Sequence, residues 1–151
     1  MQQFYGDFLK GPAAVGLLIL RLVTGGALMQ HGWPKIQNPF HWMDVMSKAH
    51  PTPSIFQALG AFAEFGGGLA LILGLLTPIA AFGIVCNMAV ALMKVHLPHG
   101  DPWVAGPGAK GGSYEPALGY LAVALMLLLT GPGAFSIDAQ LFRKKRPSFR
   151  R

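Results

Sequence analysis

The sequence predicts an all-α integral membrane protein, a four-helix bundle with both termini cytoplasmic and longer outer loops 1–2 and 3–4. Three observations predict it. Apolar residues make up 52% of the 151-residue chain and charged residues only 12%, where a soluble domain averages about 25% charged. No charged residue lies between Glu64 and Lys94, and Arg21 is the only one between Gly11 and Gln30. Runs of this kind match the roughly 20 apolar residues a spanning helix needs. Six of the twelve basic residues stand in the last nine positions (Arg143, Lys144, Lys145, Arg146, Arg150 and Arg151). Beside a hydrophobic helix such a cluster reads as a cytoplasmic anchor. The net charge of +6 therefore points to a lipid surface and not to nucleic acid.

The first span is expected over residues 12–32. It is too long for a signal peptide and holds Arg21 at its middle, so it reads as a retained helix. The second covers 54–75 and the third 78–96. Between them, Gly74 suits a helix end and Pro78 a first helical turn, which makes a hairpin with almost no loop. The fourth covers 116–131 and stops at Gly131-Pro132-Gly133. The whole chain, 1–151, is one domain with a basic tail over 142–151. Abundant glycine (20) and proline (12) suit helices packed closely in lipid. The single Cys86 excludes an internal disulfide and reads as a small core residue.

Four spans with a cytoplasmic tail turn loops 33–53 and 97–115 outward. These loops, with Lys94 at the adjoining end of the third span, carry Lys35, Lys48 and Lys110 against Asp44, Asp101 and Glu115, which satisfies the positive-inside rule. All five histidines (His31, His41, His50, His96, His99) and all three tryptophans (Trp33, Trp42, Trp103) stand at or beyond the outer helix ends. The tryptophans read as an interfacial belt. Residues 40–46 read as a short amphipathic segment on the outer surface. The Pro- and Gly-rich stretch 98–108 is expected to fold as a lid over that face, with Pro98 ending the third helix.

The candidate site starts from the two lone charges. An ionised side chain in hydrocarbon is expensive unless paired or wetted. Arg21 lies ten residues below His31, and Glu64 ten residues below Ser54. At about 1.5 Å per residue both would sit roughly 15 Å below the outer surface. An intramembrane Arg21–Glu64 pair is therefore expected, either as the floor of an outward cavity or as a clasp that sets helix register. Gly66-Gly67-Gly68 and Gly25-Gly26 are placed for close helix approach or for a flat ligand. Above the floor stand His31, Lys35, Lys94, His96, Tyr114 and Glu115, candidates to bind a polar head group. Glu115 has a second reading as a partner of the helix dipole, and a His or Lys beside a quinone carbonyl could supply a hydrogen bond or proton. His96 and His99 form only a weak metal pattern with no third ligand, so no metal site is assigned. The sequence has no P-loop, GxGxxG, C-x-x-C-H or nucleophile elbow. Any redox chemistry would use a diffusible or partner-held cofactor.

Several short pieces recur in a known order: Arg21-Leu22; Gln30-His31-Gly32-Trp33-Pro34-Lys35; Glu64-Phe65-Gly66-Gly67-Gly68 running on to Thr77-Pro78; Lys94-Val95-His96; Tyr114-Glu115-Pro116; and Thr130-Gly131-Pro132-Gly133-Ala134-Phe135-Ser136-Ile137-Asp138. In that order and spacing the chain resembles the DoxX family of small bacterial and archaeal four-helix membrane proteins. The resemblance covers about residues 12–140. It implies a multi-pass protein of the cell (inner) membrane. The family is similar to the DoxD subunit of thiosulfate:quinone oxidoreductase, which implies a quinone- or redox-linked role, at most as a membrane subunit whose partner holds the redox centre. Three functions follow in order of preference. The first is that quinone-linked subunit, with quinone as cofactor. The second is a non-catalytic accessory subunit of a respiratory or photosynthetic membrane complex, holding lipid or pigment. The third is a small proton-coupled transporter using Glu64.

Overall fold

A computed structural model describes residues 7–44, 52–107 and 111–142. Lys48, His50, Lys110, the end of the 40–46 segment and the basic tail beyond Phe142 lie outside those residues. Every regular element among the described residues is helical. Helix α1 runs Pro12–Ile36, α2 Ser54–Leu73, α3 Thr77–His99, α4 Glu115–Thr130 and α5 Ile137–Phe142. The first three are long and apolar enough to cross a membrane. Helix α4 has 16 residues and reaches about 24 Å. The protein is thus a membrane protein built on three long apolar helices and a shorter apolar fourth.

The distribution of side chains confirms the solvent. Large apolar residues point outward, with Leu129 79%, Val23 68% and Ile79 66% exposed. The interior holds small residues together with Arg21, Thr24, Gln57, Glu64, Thr77 and Asp138. In water so much apolar surface would drive association; in lipid it is the ordinary outer face. Cys86 is on that face. It is not the core residue expected, because the buried face of α3 is set by Ala81, Ile84 and Met88.

Helix α1 packs on α2, α2 on α3, and α3 on α4. Leu17, Leu28, Leu71, Ile84, Met88, Ala124 and Leu127 join these contacts into one core. Lipid gives helices no hydrophobic reason to associate, so close packing must supply the attraction. The α1–α2 seam does this with glycine. A Cβ at Gly25 would lie 2.6 Å from the Gly68 carbonyl, and one at Gly68 would lie 2.7 Å from the Gly25 carbonyl. A Cβ at Gly32 would meet the Phe65 backbone nitrogen at 2.5 Å. Gly67 packs on Ile84 of α3, whereas Gly26 and Gly66 face open space. Of the glycines singled out in the sequence, Gly25, Gly67 and Gly68 therefore make helix contacts.

The α2–α3 turn is as tight as expected. Gly74 adopts φ 62° and closes α2, and Leu76 adopts φ 49° before Pro78 enters the first turn of α3. Leucine is strained in that left-handed region. Asp138 holds it there: its two carboxylate oxygens accept from the Leu76 and Thr77 backbone N–H groups, each at 2.8 Å. A residue 61 positions away thereby caps the start of α3.

Two helices run further than expected. Helix α1 continues through Pro34 to Ile36, its last turn held by the Lys35 ion pair with Glu64. Helix α3 passes through Pro98 to His99 and is closed by Gly100 at φ 69°. It does so by widening into a π-helical turn over Ala91–His96. A proline ring clashes with the carbonyl four residues before it, here Lys94, and the wider turn relieves that clash. Such turns are rare and concentrate at functional sites.

The glycine seam gives a paired prediction. Gly68→Ala should lower stability in detergent by about 1–3 kcal/mol, because the helices must part to admit the methyl. Gly66→Ala, on the same helix but facing open space, should be neutral or slightly stabilising. Unfolding midpoints by circular dichroism would check both, and equal losses would contradict the seam.

Candidate functional site

Helices α1 to α4 all contribute to one cavity at the end where α1 finishes and α4 begins. It encloses about 350 Å³ and is lined by Leu28, His31 and Lys35 of α1, Glu64 of α2, Met88, Ala91 and His96 of α3, and Pro116, Ala117 and Tyr120 of α4. Gly112 and Ser113 complete it from the loop before α4. The walls are mostly apolar, and the polar groups converge from different helices.

Glu64 is the deepest of those groups, only 5% exposed. Its Oε1 accepts from the Lys35 ammonium at 2.5 Å and from the Asn87 amide at 3.0 Å. Its Oε2 is buried and has no hydrogen-bond partner among the described residues. Lys35 also stands 4.5 Å from the centre of the Trp42 ring, which favours a cation. Trp42 is itself fixed by its indole N–H donating to the Gln57 carbonyl at 2.8 Å. Gln57 is 1% exposed and ties loop to helix. It accepts from the Met43 N–H and donates to Asp44 and to the Thr52 carbonyl. The bond from Gln57, and then that from His41, hold the Asp44 carboxyl below its ordinary range.

His31 sets its ring edge against Tyr120, centroids 5.8 Å apart. His96 bonds through Nδ1 to Asp101 at 2.7 Å. With Asp101 as acceptor, Nδ1 carries a hydrogen, and in the neutral tautomer that this implies Nε2 is an acceptor. The π-helical turn delivers both Ala91 and His96 to the cavity. Of the stretch 98–108 expected to cover this face, Asp101 reaches His96 but no described residue lines the cavity, which Gly112 and Ser113 border from further along the loop.

The sequence expectations divide here. His31, Lys35, Glu64 and His96 meet in the cavity. Lys94 is exposed and lines none of it. Glu115 is exposed in the first turn of α4, where its charge suits the helix dipole. Tyr114 stacks on Trp103 instead. His99 is exposed and turns back onto the Val95 carbonyl, so it does not join His96 in a shared metal pattern. Trp33 and Trp103 are exposed, as an interfacial belt would have them, but Trp42 is drawn inward over Lys35.

Arg21 and Glu64 do not pair. Arg21 lies at the opposite end of the bundle, 1% exposed, and its guanidinium is enclosed by carbonyls. Nε donates to Leu71 at 2.8 Å, Nη1 to Pro132 at 2.7 Å and to Phe135 at 2.8 Å, and Nη2 to Ile72 at 3.1 Å. The depth count fails because α1 extends past His31 and because glycine contacts set the register. Gly25 faces Gly68 and Gly32 faces Phe65, which brings Lys35, fourteen residues above Arg21, to Glu64. That is about 21 Å along the helix.

Asn87, Tyr120, Asp101 and Gln57 were not singled out by sequence. Asn87 had a signal of the same kind as Glu64, being the only amide between Gln57 and Lys94. Asp101 and Gln57 act across loops whose course the sequence does not specify.

Comparison with known proteins agrees with this architecture. The DoxX family model matches residues 16–97, which hold Arg21, Lys35, Glu64, Asn87 and His96. The chain is similar to inner membrane protein YqjF of Escherichia coli, 31% identical over 130 residues, covering 86% of this chain and 95% of that one. A protein of Haemophilus influenzae is 33% identical over 128 residues, 85% and 92% of the two chains. The membrane protein Rv3486 of Mycobacterium tuberculosis is 27% identical over 145 residues, 89% and 85%. No solved structure matches. With more than half of the chain inside the family model and a relative matched along nearly its whole length, the chain belongs to the DoxX family of membrane proteins.

Proposed function

We propose that the protein is a quinone- or redox-linked membrane subunit that binds a quinone head group in this cavity, with the redox centre in a partner. The observation that carries the reading is the lining. Leu28, Met88, Ala91 and Ala117 offer an apolar wall to a flat ring, while Glu64, Lys35, His31, His96 and Tyr120 offer polar contacts at its edge. A volume of about 350 Å³ falls in the usual range for a small-molecule site, about 300–1,000 Å³. The similarity of the family to a quinone-linked subunit points the same way. Lys94 and Glu115 are exposed and line none of the cavity, so they have no part in this reading.

The proposal includes a topology. Four helices cross a bacterial or archaeal inner membrane, both termini are cytoplasmic, and the cavity opens on the outer side. Support comes from the basic tail, 143–151, under the positive-inside rule. The short α4 crosses with Tyr114 and Glu115 at the outer interface and 131–136 at the inner. A fluorescent protein that matures only in the cytoplasm should light up when fused at either end. Fluorescence from one end alone would require an odd number of crossings.

Extraction tests the function. Protein purified in mild detergent should carry quinone plus quinol near one per chain, measured by chromatography of the organic extract. Glu64→Gln and His31→Ala should each lower that content about tenfold, the loss expected from one good hydrogen bond, with helix content unchanged. Quinone-free protein that co-purifies with a haem- or pigment-bearing complex would replace this reading with the accessory-subunit one.

A further inference from the structure

Two polar atoms in the cavity have no use in the fold. Glu64 Oε2 is buried without a partner, although buried polar atoms are nearly always hydrogen-bonded. His96 has Nδ1 engaged by Asp101, which leaves Nε2 free on the same cavity wall. Glu64 Oε2 is an acceptor, and so is Nε2 of a neutral His96 ring. As the partner of the Lys35 ammonium, Glu64 is a carboxylate and has no hydrogen to donate. The Lys35 ammonium is already held by Glu64 Oε1 and covered by Trp42. The unmet atom at the buried end of the cavity therefore offers a lone pair, and it calls for a donor.

We infer that the cavity takes the reduced, dihydroxy form of an aromatic electron carrier in preference to its dicarbonyl form, with Glu64 Oε2 and His96 Nε2 accepting the hydroxyl hydrogens. A quinol presents two O–H donors on a flat ring. A quinone presents only acceptors, which would face the lone pairs of Glu64 and leave them unmet. The ring lies against the apolar wall of Leu28, Met88 and Ala117. This inference rests on the quinone-linked reading and specifies which form the site holds.

The test uses the full chain in detergent with two probes, a decyl-substituted benzoquinol kept reduced under anaerobic conditions and the matching decyl-benzoquinone. Binding is read as quenching of tryptophan fluorescence. The quinol should bind at least about tenfold more tightly, the ratio expected when a donor meets a charged acceptor. Glu64→Gln, whose amide can donate to a carbonyl, should bring the two affinities within about threefold. His96→Phe, at a side chain 23% exposed, should weaken the quinol more than the quinone and narrow the ratio between them, and it guards against a folding defect in the first variant. Equal or tighter binding of the quinone by the unaltered protein would overturn the inference while leaving the quinone reading in place. Binding of neither probe would overturn both.

Discussion

The buried Arg21 guanidinium is the interaction on which the rest of the structure depends. A fully buried cation with no ion-pair contact among the described residues would be very costly in hydrocarbon. Four carbonyls make it tolerable, and their origin explains the architecture. Leu71 and Ile72 belong to the last turn of α2, where carbonyls lack helical partners and the dipole is negative. Pro132 and Phe135 belong to the segment after α4. One planar, five-donor group thus ties α1 to the end of α2 and to the return of the chain beyond α4. Asp138, from that same returning segment, caps α3. All the helices are therefore fastened at one end, by polar groups that lipid cannot replace.

The consequence appears at the other end. With the helix ends around Arg21 fixed and the α1–α2 seam closed by Gly25, Gly32 and Gly68, the helices need not meet tightly near Glu64. A cavity can stay open there without loss of the bundle. Its polar groups are held by one another and by neighbours that do not line it: Lys35 and Asn87 on Glu64, Trp42 on Lys35, Gln57 on Trp42, and Asp101 on His96. This is the usual way in which a site is kept in geometry by its supporting contacts. The π-helical turn adds to it, since it turns His96 inward just before the chain leaves the helix.

Much of this was legible in the sequence because lipid makes simple demands. Long runs without charge marked the helices, Gly74 and Pro78 marked the hairpin, and the lone Glu64 marked the helix that reaches the cavity. His31, Lys35 and His96 could be placed with it by their positions at the outer helix ends. The partner of Arg21 could not be found this way. Depth counting assumes helix ends, and Pro34 and Pro98 both suggested stops that neighbouring interactions override. It also considers only side chains, whereas Arg21 is satisfied by backbone carbonyls that any sequence carries. The segment Gly131-Pro132-Gly133-Ala134-Phe135-Ser136-Ile137-Asp138 drew attention only as part of a family pattern. Its physical role, enclosing Arg21 and capping α3, depends on a fold in which residues more than a hundred positions apart meet.

The two lone charges do separate work, Arg21 as a clasp at one end of the bundle and Glu64 at the floor of the cavity at the other. A double-mutant cycle on stability in detergent tests this separation most directly, with Arg21→Lys, Glu64→Gln and the two combined. Groups with no shared partner should give losses that add to within about 0.5 kcal/mol. A coupling above about 1 kcal/mol, as expected of a buried ion pair, would contradict the account.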